Sequence, residues 1–425
     1  MYCGNCFRDN ALVAALRKAG HEVTMVPLYL PLTLDEENQS DGTPIFFNGV
    51  NVYLEQQSSL YRNAPRWVHK MVGSEIMLNW AANQVGKTKA EEVGELTISM
   101  LKGEDGNQAR ELDELIDWLK TQTKPDVICL SNSLLLGLAR RLKQEINAPV
   151  ACLLQNEAPY IDSMPQELRS KVWEIMSQRA REVDQFIAPS QFYAERMQTN
   201  LKISKPRIQV IYNGINHDGF ESERVAPNPP VLGFFSRMCK DKGLDTLIDA
   251  FIKLKANNHI PLLKLKIGGG CGPSDKKFVK RLKDRLHAKG LMGETEFHPN
   301  LSRSEKQTFL KSLSVLSVPA QFGESFGFYV IEAMAAGVPV VQPRCASFPE
   351  LIEITGGGVI YDHEDPKSLA NALEKMLHNP ANAKQMGLKA REVVRNKFSV
   401  ENMAKEMITL AEKLATDKTR SKSRT

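Results

Sequence analysis

The stretch Gly323–Val341 reads GESFGFYVIEAMAAGVPVV. Two glutamates, Glu324 and Glu332, stand with seven residues between them inside an otherwise apolar run. Gly323, Gly327 and Gly337 punctuate it, and Pro-Val-Val closes it. The preceding LSVLSVPA predicts a strand, QFGES a loop, and GFYVIEAMAAG a helix that begins near Phe326 to Gly327. Free backbone N–H groups at a helix start favour an anion. Gly327 lets the backbone come close to a ligand because no side chain stands in the way. Glu324 lies in the loop and Glu332 about two turns into the helix. Both can face one cleft while too far apart to act as a tight dyad. Carboxylates accept hydrogen bonds and sugar hydroxyls donate them, so the pair reads as two hydroxyl-reading positions on either side of a diphosphate. The bland alternative makes Glu324 a helix-start charge and Glu332 a buried polar residue. An unpaired carboxylate within YVIEAMAAG would be costly, which weighs against it.

A second constellation lies upstream, in SRMCKDKG. Arg237 and Lys242 stand five residues apart, beyond the predicted strand VLGFFS and before the predicted helix LDTLIDAFIKL. An α/β domain places its ligand groups there. An arginine fork and a lysine point charge suit a phosphate or diphosphate; a solvated basic turn is the other reading.

Working outward, short β-branched runs alternate with amphipathic helical patterns along most of the 425 residues, the pattern of α/β units around parallel sheets. In the first half NALVAALRKAG predicts a helix. HEVTMVPLY (21–29), DVICLS (126–131), PVACLL (149–154), DQFIAPS (184–190) and IQVIYN (208–213) predict strands. The segment 56–120 is helical and polar, carries Trp67, Trp80 and Trp118, and reads as an insertion in the first domain. YRNAPRWVHK (61–70) within it is either a solvated face or part of an acceptor or membrane-surface site. The proline-rich stretch 218–230 reads as a linker. The pattern then restarts with strands PLLKLKIGGG, LSVLSVPA, VPVVQP and GGGVIYD and helices between them. A helix is expected over 398–415, and a basic tail without structure over 418–425. The expected domains are therefore 1–217 and 231–397, with the final segment 398–417 packing back on the first. The chain opens at MYCGNC, whereas a doubly wound domain opens on a strand; the expectation is that the first strand of the N-terminal domain is missing.

Composition agrees with a globular pair of domains: 25% charged and 42% hydrophobic residues. The 55 basic and 50 acidic residues leave a net charge of +5. This small excess argues against nucleic acid and suits an anionic small ligand or weak attraction to an anionic membrane surface. Seven cysteines at irregular spacing argue against a disulfide framework and for a reducing, cytoplasmic compartment, at most touching the inner membrane surface. Cys3 and Cys6 form a C-x-x-C with no second pair at zinc spacing, so no metal site is expected. No stretch approaches a membrane span, and no leader pattern is found.

GESFGFYVIEAMAAGVPVV resembles the signature of the retaining family-4, or group 1, glycosyltransferases. IQVIYNGINHDGF, GFFSRMCKDKGLDTLIDAF, PELIEITGGGVIYDHEDPKSLANAL and NALVAALRKAGHEV are similar to further family segments in the same order. The resemblance implies the GT-B fold, two doubly wound Rossmann-like domains facing each other across a cleft. It implies transfer of a sugar from a nucleoside-diphosphate sugar, UDP- or GDP-linked, to an acceptor hydroxyl with retention of configuration and no obligatory metal or other cofactor. By the same resemblance Arg237 and Lys242 match the diphosphate ligands, Glu332 the ribose-binding glutamate, and Glu324 the glutamate beside the donor sugar. Ser325, Phe326, Gly327 and Phe328 match the loop whose amides hold phosphate and sugar. Gly4 matches the glycine that approaches the phosphate from the other domain. Where many members carry a histidine after the strand PVACLL, this chain has Gln155, which can hydrogen-bond a sugar hydroxyl but cannot titrate. The rival readings are a non-catalytic nucleotide-sugar-binding subunit and another GT-B enzyme such as an epimerase or phosphorylase.

Overall fold

A computed structural model of the chain describes residues 4–28, 36–47, 52, 55, 56, 90–222, 224–365 and 367–422. The chain divides into two compact units. The N-terminal unit comprises Leu12–Pro189, Tyr193–Ile211 and Ala404–Thr425, and the C-terminal unit Met1–Ala11, Ser190–Phe192 and Tyr212–Met403.

Helix α1 (Gly4–Lys18) is followed by α2 (Ala90–Lys102) and α3 (Ala109–Thr121). Then β1 (Ile128–Leu130), α4 (Ala139–Ile146), β2 (Val150–Leu153), α5 (Glu157–Asp162), α6 (Gln166–Arg179), β3 (Gln185–Ala188), α7 (Gln191–Leu201) and β4 (Ile208–Val210) complete the α/β run. The four strands are parallel, in the order β1-β2-β3-β4. β2 and β3 are buried at every position, as a parallel strand covered on both faces requires. Asp184 locks the entry to this pair, accepting from the Val150 amide at 2.8 Å and from Lys143 Nζ at 2.6 Å. Gly103 and Gly137 bring two backbones into contact: a Cβ on Gly137 would stand 2.1 Å from the Met100 carbonyl oxygen.

Two expectations fail here. Residues 21–28 form no strand, although HEVTMVPLY has the composition of one; residue 29 lies outside the described residues. The reason is partner choice. The carbonyls of Val23 and Met25 accept from the side chains of Arg17 and Thr43, and the Leu28 carbonyl accepts from the Phe47 amide. The other failure is the tail, where helix continues to Lys422. TDKTRSK holds no glycine or proline to stop it, and the Thr416 and Thr419 hydroxyls donate to the carbonyls one turn back, at 2.8 and 3.0 Å. The described part of the expected insertion is α2 and α3. YRNAPRWVHK, Trp67 and Trp80 lie outside the described residues, while Trp118 packs on Phe46 with ring centroids 5.4 Å apart.

The C-terminal unit runs β5 (Val231–Phe235), α8 (Leu244–Asn257), β6 (Lys264–Gly269), α9 (Lys276–Ala288), β7 (Thr295–Pro299), α10 (Arg303–Lys311), β8 (Val315–Leu316), α11 (Phe328–Ala335), β9 (Val340–Pro343), α12 (Phe348–Thr355), β10 (Gly358–Tyr361), α13 (Ser368–His378) and α14 (Pro380–Lys397). Helix α15 (Val400–Lys422) starts in this unit and, from Ala404, belongs to the other. Six parallel strands lie in the order β10-β9-β8-β5-β6-β7. From β5 the chain steps outward to β6 and β7, then returns to β8 on the other side and steps outward again. The sheet therefore has its topological switch point between β5 and β8, and the crevice outside the carboxyl ends of those two strands is where such a sheet binds ligands. A contiguous core including Phe234, Phe251, Leu265, Ile267 and Val330 lies around the sheet.

The stretch 218–230, expected as a linker, belongs to the C-terminal unit. Arg224 donates to the carbonyls of Leu313 and Gly337, and just upstream Ile215 exchanges backbone bonds with Phe398 and Val400 at 2.9 and 3.1 Å. Proline content marks irregular chain but says nothing about what that chain packs against. Among the described residues no helix is long and apolar enough to cross a membrane.

Candidate functional site

The loops after β5 and β8 flank the switch point, and they carry most of the residues expected to act. Arg237 follows β5. Its guanidinium is held by Asp275 in a fork, Nε at 3.0 Å and Nη2 at 2.9 Å, with Nη2 also 3.2 Å from the Ser274 hydroxyl. The Arg237 side chain is 58% exposed and that of Asp275 only 6%, so a buried carboxylate aims an open cation. Burial alone would raise the Asp275 carboxyl, but the Arg237 hydrogen bonds and the Gly272 amide hold it below the usual carboxylate range. Gly269, at φ +122°, lets the backbone after β6 lie against that of Ser236: a Cβ there would stand 2.0 Å from the Ser236 carbonyl oxygen.

Lys242 closes a short turn ahead of α8 and ion-pairs with Glu324 from the loop after β8. The Gln321 amide donates to the Asp241 carbonyl at 3.0 Å, which ties the two loops together. The hydroxyl of Tyr329 lies 3.5 Å from the same Glu324 oxygen. Burial raises the Tyr329 phenol well above its ordinary value, and the Glu324 charge adds to that. The Cys345 thiol is likewise pushed up to about 11, first by burial and then by Glu324.

The loop backbone is fixed by two fully buried serines. The Ser347 hydroxyl lies 2.9 Å from the Glu324 carbonyl oxygen and 2.8 Å from that of Phe326, and the Ser190 hydroxyl donates to the Ser325 carbonyl at 2.6 Å. Gly327, at φ +93°, opens α11 in the left-handed region that favours glycine. Ser325 is buried, and Phe326 belongs to the core, edge-on to Phe328 at 5.3 Å. What this loop can offer a ligand is therefore backbone more than side chain. Glu332, on the second turn of α11, accepts from Lys306 of α10 at 2.6 Å. Both side chains are less than one-fifth exposed. This is the partner that the cost of a lone buried carboxylate demands.

The C-terminal unit thus holds Arg237, Lys242, Glu324, Ser325, Phe326, Gly327, Phe328 and Glu332. Gly4 is the first residue of α1, whose opening residues also group with this unit. Gln155 belongs to the N-terminal unit. It is 3% exposed, and its Nε2 donates to the Ser131 carbonyl at 3.0 Å. Sequence reading missed Asp275, Lys306 and Glu157. Glu157 is buried and accepts from the amides of Ser133 and Gln155 and from the Tyr193 hydroxyl, each at 2.8 Å. Its place two residues after Gln155 was the one available signal.

A groove of about 680 Å³ lies in the N-terminal unit, lined by residues including Lys143, Asp184, Pro206 and Leu410. It sits where β2 and β3 begin, the wrong end of a parallel sheet for the ligand chemistry of such folds, and Lys143 is spent on Asp184.

Comparison with known proteins bears on the family and the fold. The sequence profile for "Glycosyl transferases group 1" matches residues 218–393, and that for "Glycosyltransferase Family 4" matches 91–218. An uncharacterized glycosyltransferase of Methanocaldococcus jannaschii is 26% identical over 239 residues, 53% of this chain and 59% of that protein. A D-inositol 3-phosphate glycosyltransferase of Thermobifida fusca is 26% identical over 48% of this chain and 49% of its own length. The chain spans about half the length of the curated relatives it matches. Among solved structures, sucrose-phosphate synthase from Thermosynechococcus elongatus superposes with a TM-score of 0.62 at 22% identity, over 72% of this chain and 79% of that one. Anabaena HepE, solved with UDP-glucose, superposes at 0.60 and 18% identity, over 92% of this chain and all of that one. The shared fold is GT-B.

Proposed function

The chain belongs to the group 1 glycosyltransferases, and we propose that it moves a hexosyl group from a UDP- or GDP-sugar to an acceptor hydroxyl with retention at the anomeric carbon. The observation that carries this reading is the placement of two cations, Arg237 and Lys242, and of Glu324 on the loops that flank one switch point, with Glu332 on the helix that follows. Asp275 and Ser274 engage Nε and Nη2 of Arg237, which directs Nη1 to a phosphate. The Lys242 ammonium has three donors and can bridge Glu324 and the diphosphate. Glu332 takes the ribose hydroxyls and Glu324 the donor sugar. The amides of Ser325, Phe326, Gly327 and Phe328 receive phosphate and sugar oxygens, with Gly4 approaching the phosphate through its backbone.

Cleavage of the glycosyl bond leaves negative charge on the diphosphate. Arg237, Lys242 and the start of α11 stabilise it, an electrostatic contribution that is worth more in a site closed to water. The same groups supply the positive charge for which a divalent cation would otherwise be used, so the donor site needs no obligatory metal. The departing phosphate oxygen takes the acceptor proton, so no protein base is needed on that face. The Gln155 amide is held by Ser131 and positions rather than titrates. The irregular spacing of the seven cysteines supports a reducing compartment such as the cytoplasm.

The reading is tested by screening UDP- and GDP-sugars for thermal stabilisation and then for transfer of labelled sugar, with the anomeric configuration of the product read by NMR. Binding of nucleotide sugar without transfer or slow hydrolysis would favour the non-catalytic binding subunit, and an inverted product would remove retention.

A further inference from the structure

The C-terminal unit carries a second cluster with ligand chemistry, at the opposite end of its sheet from the donor loops. His259 lies in the turn after α8, shortly before β6 begins, and Glu374 and His378 stand one turn apart at the end of α13. The two helices pack against each other. One ligand atom from each residue lies within 4.8 Å of the others. His259 Nδ1 contacts Glu374 Oε1, and His378 Nε2 is 3.8 Å from the same oxygen.

We propose that His259, Glu374 and His378 bind a divalent transition metal of the zinc class, as a clip between α8 and α13. Two imidazoles and a carboxylate are a donor set that zinc accepts with an open fourth position. At metal–ligand distances of about 2.0–2.1 Å, ligand atoms stand at most about 4.2 Å apart, so the cluster closes on an ion with small side-chain rotations. Exposures of 59% for His259 and 52% for His378 leave both rings free to make them and leave water to complete the shell. The neighbouring cation, Lys375, is exposed and can swing away. Because the clip lies at the amino end of the strands, it stabilises the unit without entering the donor site.

The test is thermal unfolding of the full chain, stripped with chelator and titrated with Zn²⁺. The melting temperature is expected to rise and saturate. His259→Ala and His378→Ala should each weaken the apparent affinity by roughly 10-fold or more, while the exposed control His287→Ala leaves it unchanged. Co²⁺ in place of Zn²⁺ should give visible absorption without a thiolate charge-transfer band, which separates this site from any cysteine site such as the Cys3/Cys6 pair. No saturable shift, a shift that survives in the H259A/H378A double variant, or a thiolate-dominated cobalt spectrum would each overturn the proposal. Each variant is compared with itself with and without metal, so loss of the His259–Glu374 contact does not confuse the reading.

Discussion

Two loops at strand ends, QNE after β2 and QFGES after β8, each present a glutamate close to the end of a parallel strand. They differ in what the protein has already done with it. Glu157 accepts from two amides and a phenol at 2.8 Å and is 4% exposed. Both of its oxygens are used, and the phenol it accepts from also takes the Ala158 amide at 3.1 Å. Glu324 meets a lysine and a phenol at 3.5 Å, both on one oxygen. Position at a strand end does not make a carboxylate a ligand group; acceptor capacity left over after folding does. By that criterion the carboxylate of Glu157 is scaffold, and that of Glu324 keeps capacity for the ligand role proposed for it.

The largest effect tests the two cations of the loop after β5. Replacing Arg237 or Lys242 with Ala should cut turnover by roughly 100-fold or more, as for loss of one charge-stabilising donor. Labelled-sugar transfer measures it, and unchanged kinetics in both variants would remove the diphosphate assignment. Next comes the direct contrast between the two loops. Glu157→Gln places an NH₂ against donors and should lower unfolding free energy by about 1.5–3 kcal/mol. Glu324→Gln should leave stability nearly unchanged and lower transfer while free nucleotide still binds. Equal losses of stability in denaturant unfolding would erase the distinction.

Glu332→Gln should weaken free nucleotide and intact donor alike, because both contain the ribose; calorimetric titration of each decides. Selective loss of donor alone would move Glu332 to the sugar. A smaller effect uses Cys345 as a probe of the Glu324 charge. Its folded pKa of about 11 stands above the ordinary thiol value of 9.0. The unfolded chain therefore loses the proton first, and stability falls as pH rises from about 9 to about 11. Cys345→Ser should flatten that fall, and Glu324→Gln should lower the titration seen by thiolate absorbance against the Cys345→Ser background. The smallest expected change is from chelator: transfer should survive EDTA, and full loss restored by Mg²⁺ would overturn the charge assignment.

Much of this was legible along the chain. Strand and helix periodicity located all six strands of the C-terminal sheet except β7, placed Arg237, Lys242 and Glu324 in the loops after β5 and β8, and placed Glu332 in the helix after the second loop. These are local properties: a buried parallel strand needs an apolar run, and a ligand loop needs glycine where the backbone must turn. What only the tertiary structure decided are the partners. Asp275 behind Arg237, Lys306 against Glu332 and Tyr193 on Glu157 lie 38, 26 and 36 residues away in sequence, at no fixed spacing. The same is true of residues 21–28, where the Val23 and Met25 carbonyls went to side chains, and of 218–230, which packs on the C-terminal unit through Arg224. A residue's chemistry is written in its type, but whether its hydrogen-bonding capacity is spent or spare depends on which distant groups the fold brings to it.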